Sequence, residues 1–258
     1  MVALEHLDFG AGRPLVILHG LLGSALNWST IARRLAEQRR VVAVDQRNHG
    51  GSPWLDEMTY PALAGDIRDL IAPFGRSAVL GHSMGGKAAM TLALLYPGLV
   101  ERLVVVDIAP VAYSGRQHGE TIRAMQGIDL SAVHRRSEVE EALRGSVDDP
   151  AIRAFLLQNL VTDETGQMRW RLNLDVLARA LPDIMGWPEE LLAGRRYDGP
   201  VLILTGGRSD YVRPEHHAAI SRYFPAARLE TVPDSGHWPH AEQPETFLRL
   251  LQPFLQSG

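Results

Sequence analysis

Ala78-Val79-Leu80-Gly81-His82-Ser83-Met84-Gly85-Gly86-Lys87 is the stretch that decides the fold. Its first three residues are apolar without alternation, which reads as a strand buried on both faces. Residues 86–95 after it read as a helix. Between the two stands G-x-S-x-G, and that spacing has a steric cause. A nucleophile carried on so sharp a strand-to-helix turn adopts a strained backbone, and bulky residues two places to either side would clash. The turn lifts the Ser83 hydroxyl above the sheet, near the positive end of the following helix.

Working outward, similar apolar runs at 15–18, 41–44, 103–106 and 201–204 read as further buried strands. Helical patterns at 28–37 and 60–72, and later at 214–223 and 244–255, alternate with them. Such alternation predicts a doubly wound, mostly parallel α/β sheet. Residues 3–9, followed by Gly10 and Gly12, predict an antiparallel edge hairpin. The alternation breaks over 109–196, where helix patterns at 137–143, 147–160 and 172–181 come without a core strand. Asp149-Pro150 is a strong helix start, a capping Asp before a Pro in the first turn. The chain is therefore expected to divide into one α/β core, 1–108 with 197–258, and a stretch, 109–196, that is either a helical insertion folded over it, the favoured reading, or a second small domain.

Composition narrows the function. The chain has 258 residues, 45% of them hydrophobic and 22% charged, which is an ordinary globular balance. Lys and Arg number 26 against 30 Asp and Glu, so no basic excess points to nucleic acid or an anionic membrane. Only Lys87 is a lysine. The absence of Cys excludes disulfides, thiolate nucleophiles, Cys-ligated zinc and iron–sulfur clusters. MVALEHLDFG lacks the basic and apolar regions of a signal peptide, and no run approaches the ~18 apolar residues of a membrane span. The expectation is a cytoplasmic protein without a membrane partner.

A serine hydroxyl is a poor nucleophile until a base takes its proton. His237, in Ser235-Gly236-His237-Trp238-Pro239, lies between the apolar end of a late strand and the last helix, where α/β sites assemble. His19 and His82 flank motif glycines and are expected to hold loops, whereas His6, His118, His134, His216 and His217 read as surface residues. His240 completes H-W-P-H, but Pro239 prevents the helical face that a metal pair would need, so no metal is expected. A carboxylate must orient His237. Asp210, just past the strand at 201–204, gives the chain order Ser, Asp, His and is preferred. Asp107, at the end of the preceding strand, is the alternative. Two amides must face the oxyanion. Met84, after the nucleophile, supplies one; Leu21 in His19-Gly20-Leu21-Leu22-Gly23 supplies the other, with Leu22 as second choice.

Together these pieces resemble the α/β-hydrolase fold superfamily over nearly the whole chain. Asp45-Gln46-Arg47-Asn48-His49-Gly50, Gly81–Lys87, Asp107-Ile108-Ala109-Pro110 and Gly236-His237-Trp238-Pro239-His240-Ala241-Glu242 are similar to the small YbfF-type esterases. The resemblance implies cofactor-free hydrolysis of short- or medium-chain acyl esters or thioesters beneath a helical cap. It also implies the acid role for the aspartate of D-I-A-P, so Asp107 stands beside Asp210. Asn48 replaces a glycine common in the superfamily and suits a positive φ. Lys87, a cation in a helix's first turn, is poorly placed against the dipole, and is expected to pair with Asp107 or Asp45. Trp28, Tyr113, Met125, Phe155, Leu156 and Trp187 are candidates for the substrate pocket wall.

Other readings compete. C–C bond hydrolysis or perhydrolysis would use the same triad. A non-catalytic ligand binder would keep the fold alone. Gly81-x-x-x-x-Gly86-Lys87 also has P-loop spacing, but Ala88 stands where a hydroxyl should hold Mg²⁺.

Overall fold

A computed structural model describes residues 2–256. The strands are β1 (His6–Phe9), β2 (Pro14–Leu18), β3 (Arg40–Val44), β4 (Ser77–His82), β5 (Val100–Val106), β6 (Leu160–Thr162), β7 (Met168–Trp170), β8 (Val201–Gly206) and β9 (Ala227–Val232). Seven of them form one sheet in the order β1-β3-β2-β4-β5-β8-β9, parallel throughout except for β1. The opening segment is indeed an antiparallel edge strand. It makes no hairpin with its neighbour in sequence, however, because β1 pairs with β3 from His6↔Val44 to Phe9↔Val41.

Strand residues alternate between two cores. Leu15, Ile17, Val41, Ala43 and Leu80 face Trp28, Ile31, Leu35, Phe247 and Leu251, which come from a 3₁₀ turn at Ala25–Trp28, α1 (Ser29–Leu35) and, near the C-terminus, the helix Pro244–Gln256. Val16, Leu18, Val42, Val44 and Val79 face the other way, into a core shared with α2 (Tyr60–Ile71) and α3 (Met84–Leu95). Helices on both faces explain why these strands read as unbroken apolar runs. Each fully buried Leu, Ile or Val contributes roughly 1.5–3 kcal/mol.

The chain between β5 and β8 gives no strand to this sheet. It folds as α4 (Arg116–Gln126), α5 (Arg136–Arg144), α6 (Pro150–Leu157), the antiparallel β6–β7 hairpin, α7 (Leu174–Arg179), α8 (Leu181–Met185) and α9 (Glu189–Leu192). Asp149 caps α6 by accepting the Ala151 N–H at 2.8 Å. Helix α4 and the hairpin were not anticipated from the sequence. Beyond β8 lie α10 (His217–Tyr223), α11 (Pro239–Glu242) and α12 (Pro244–Gln256). Among the described residues no helix is long and apolar enough to cross a membrane.

Asn48 joins the sheet to the inserted segment. It has φ 66°, as its replacement of a glycine suggested, and its Oδ1 accepts N–H groups from Leu55 at 2.8 Å and from the Asn173 side chain at 3.1 Å. Its carbonyl takes the Asn173 backbone N–H at 3.0 Å.

The first turn of α3 lies against the end of β2. A Cβ on Gly85 would stand 2.5 Å from both the Leu18 and His19 carbonyl oxygens. Gly85→Ala should therefore lower the unfolding free energy by about 2–4 kcal/mol. Gly65→Ala, inside α2 with open space around its Cβ, should raise it by about 0.5–1 kcal/mol. Urea unfolding midpoints of the two variants check both signs.

Candidate active site

Ser83 sits between β4 and α3 with φ 51° and ψ −117°, a conformation that side-chain-bearing residues rarely adopt. Its N–H donates to Val106 O at 3.0 Å, and its carbonyl accepts the Lys87 N–H at 3.1 Å, so both neighbours hold the strained turn. The His19–Gly23 loop runs alongside. A Cβ on Gly20 would stand 3.3 Å from the Ser83 Cβ. In that loop the Leu22 N–H is committed to His49 Nε2 at 3.3 Å. The Leu21 and Met84 N–H groups make no hydrogen bond among the described residues. They are the free pair an oxyanion would need.

His237 arrives on the loop after β9, and its Nδ1 donates to Asp107 Oδ2 at 2.7 Å. Asp107 has no exposed surface, and its carboxylate also accepts the Gly206 N–H at 3.0 Å and the Ser209 hydroxyl. The preference for Asp210 is corrected here. Asp210 is exposed in the loop beyond β8; its carbonyl accepts Arg213 Nε, and its side chain does not meet His237. The physical reason lies in the register. Strand β5 ends at Val106, opposite Leu204, two residues before β8 ends at Gly206, so the residue one past β5 already stands beneath the imidazole.

Further contacts fix the imidazole. The Tyr211 ring stacks on it at 3.8 Å and 18°, and His82 Nε2 donates to the His237 carbonyl at 2.7 Å. Glu242 accepts the N–H groups of Gly236 at 2.8 Å and Trp238 at 3.2 Å. Burial, helped by the neighbouring His237, holds His82 well below the usual imidazole range, His240 at about 3 and His118 at about 4. These three rings are neutral at pH 7.

Ser83 and His237 open on a cleft of about 570 Å³, whose wall includes Trp28, Phe155, Trp238 and His118. A second, narrow pocket of about 10 Å³ lies beyond Ser83, lined by Met84, Lys87, Tyr113, His118 and Tyr211. Trp28, Phe155 and Tyr113 thus stand where a pocket wall was expected. Trp187 does not: it packs edge-on against Tyr223 at 5.6 Å and lines neither space. Met125 and Leu156 are core residues of the inserted segment. His118 is corrected in the opposite direction, from surface residue to cavity wall.

A family model described as the alpha/beta hydrolase fold matches residues 13–244. The chain belongs to the α/β-hydrolase fold family. It is 43% identical to the mouse sn-1-specific diacylglycerol lipase ABHD11, an alignment covering 96% of this chain and 83% of that one. It is 37% identical to the Escherichia coli esterase YbfF, covering 94% and 92% respectively. The solved structure of a marine microorganism esterase superposes with a TM-score of 0.94 at 37% identity, covering 98% of this chain and all of that one. The family and subfamily resemblance both stand.

One residue of this α/β hydrolase departs from its expected pairing. Lys87 meets neither Asp107 nor Asp45. Its Nζ donates to the carbonyls of Met185 at 2.9 Å and Gly186 at 2.6 Å, with the Tyr113 ring 4.8 Å away. Those carbonyls close α8, where the negative end of the helix attracts a cation. Asp45 instead accepts the Ala25 and Gly51 N–H groups and faces Arg171. The P-loop reading falls with the same observation, since its lysine is spent on the inserted segment.

Burial pushes the Lys87 amine down to about 7. A base whose folded-state pKa lies below its unfolded one adds stability as pH rises between the two, because only the unfolded chain then keeps the proton. The stability of Lys87→Met relative to the parent should therefore decline as pH rises from about 7 to 10. Paired urea titrations across that window check it; a difference constant with pH would overturn it.

Proposed function

We propose that this protein hydrolyses short- to medium-chain acyl esters or thioesters by two-step acyl transfer through Ser83, His237 and Asp107. Its standing as a carboxylic ester hydrolase rests on esterase and lipase relatives matched over almost the whole chain. The observation that carries the mechanism is the Asp107–His237 bond, made by a ring that opens with Ser83 on one cleft.

The chemistry follows from the donors. With Nδ1–H given to Asp107, His237 presents a basic Nε2 to the cleft. Ser83 Oγ attacks the acyl carbon while Nε2 takes its proton, and the Leu21 and Met84 N–H groups receive the oxyanion. As the tetrahedral intermediate collapses, Nε2–H protonates the leaving alcohol or thiol. Water then gives its proton to the same nitrogen and attacks the acyl-serine, and Nε2–H passes that proton to Ser83 Oγ as the acid leaves. Asp107 keeps the tautomer and stabilises the imidazolium between steps. The apolar cleft wall suits an acyl chain, and its volume falls within the range of small-molecule sites. The mouse relative's specificity for the sn-1 position of diacylglycerol makes acylglycerols the first natural substrates to test.

Hydrolysis of p-nitrophenyl acetate, butyrate and octanoate tests the reading. Ser83→Ala should lose at least about 10³-fold in kcat. Asp107→Asn should lose on the order of 10²–10⁴-fold, while Asp210→Asn stays within about twofold. Turnover that survives Ser83→Ala would sink the mechanism.

A further inference from the structure

His118 has no part in the acyl-transfer scheme, yet it occupies a singular position. Among the described residues, Ser83 and His118 alone line both the wide cleft and the narrow pocket. The residue comes from α4, so the segment between β5 and β8 contributes it to the site, along with Phe155 in the cleft and Tyr113 in the narrow pocket. Its Nδ1 is sealed from solvent without a hydrogen-bond partner. Nε2 makes no hydrogen bond among the described residues either. A half-buried histidine with one nitrogen sealed and neither engaged is uncommon in a folded protein, and beside a reactive serine it points to a ligand.

Chemistry narrows that ligand. His237 faces the wide cleft and must deliver a proton to the leaving group, so the leaving group lies on that side. The proximity of His237 contributes to the low pKa of His118, which places the two rings in one neighbourhood. With its pKa pushed down to about 4 by burial, His118 offers an anionic group no ion pair. With Nδ1 uncommitted, either tautomer is open, and Nε2 can donate or accept. A hydroxyl group, which also does both, is its natural complement.

We propose that His118 is a specificity residue that hydrogen-bonds a free hydroxyl on the leaving alcohol, and so favours esters of polyhydric alcohols over esters of simple ones. This rests on the serine-esterase reading. The contact is made in the bound and transition states alike, so its loss should raise KM more than it lowers kcat.

Glycerol 1-monobutyrate and ethyl butyrate share an acyl group and differ in the hydroxyls of the alcohol. Against the parent, His118→Phe should lower kcat/KM for the glycerol ester by about tenfold, mostly through KM, and change ethyl butyrate by less than about threefold. His118→Ala, which leaves space where Phe fills it, should give the same split, and His118→Gln should recover most of the loss. Equal losses on both esters, or an unchanged glycerol ester, would overturn the proposal. Parent enzyme that shows no Ser83-dependent turnover of ethyl butyrate would overturn the esterase reading itself, a result distinct from the other two.

Discussion

At the head of the sheet, the Asp107 carboxylate is enclosed completely and kept there by three donors: the Gly206 amide, the Ser209 hydroxyl and His237 Nδ1. A buried anion is costly unless such partners meet it, so this cluster ties together the loops that follow β5, β8 and β9. Those strands are neighbours with matched register, Val106 opposite Leu204 and Gly206 opposite Val232. A slip of one residue in either pairing would separate acid from imidazole. The sheet is therefore more than a scaffold, because its register sets the protonation machinery.

Strain gathers at the same place. Of the five non-glycine residues with positive φ among those described, Leu22, Ser83 and Asp107 belong to the site, and Asn48 anchors the inserted segment beside it. Each such conformation costs about 1–3 kcal/mol and survives only where its surroundings fix it. Here the fixing groups are visible: Val106 O for Ser83, the Leu204 carbonyl for the Asp107 N–H, and His49 Nε2 for Leu22. The two apolar cores supply the stability that sustains these positions.

Much of this is legible in the sequence because the signals are local. Unbroken Val, Ile and Leu runs mark strands covered on both faces, and G-x-S-x-G between strand and helix marks the turn at Ser83. Asp149-Pro150 marks a helix start. Signals that depend on loop trajectory are not local. Chain order favours Asp210, but only the register of β5 against β8, Val106 opposite Leu204, reveals that Asp107 lies beneath the ring. Lys87 obeys the dipole rule that predicts a negative partner. That partner is a pair of backbone carbonyls nearly a hundred residues away, and backbone carries no sequence signature. Helix α4 is faint for a different reason: only Gly119, Ile122 and Met125 of its residues are buried. His118, Ile122 and Met125 nevertheless form an i, i+4, i+7 face, which is the pattern that identifies a helix turning inward.

Lys87 has a practical consequence as well. The chain carries one side-chain amine and folds it inside, against carbonyls and a tyrosine ring. Reagents that acylate exposed lysines, including the activated esters used as chromogenic substrates, find no lysine on this surface. Acyl groups retained by the folded protein therefore come without a background of lysine amides.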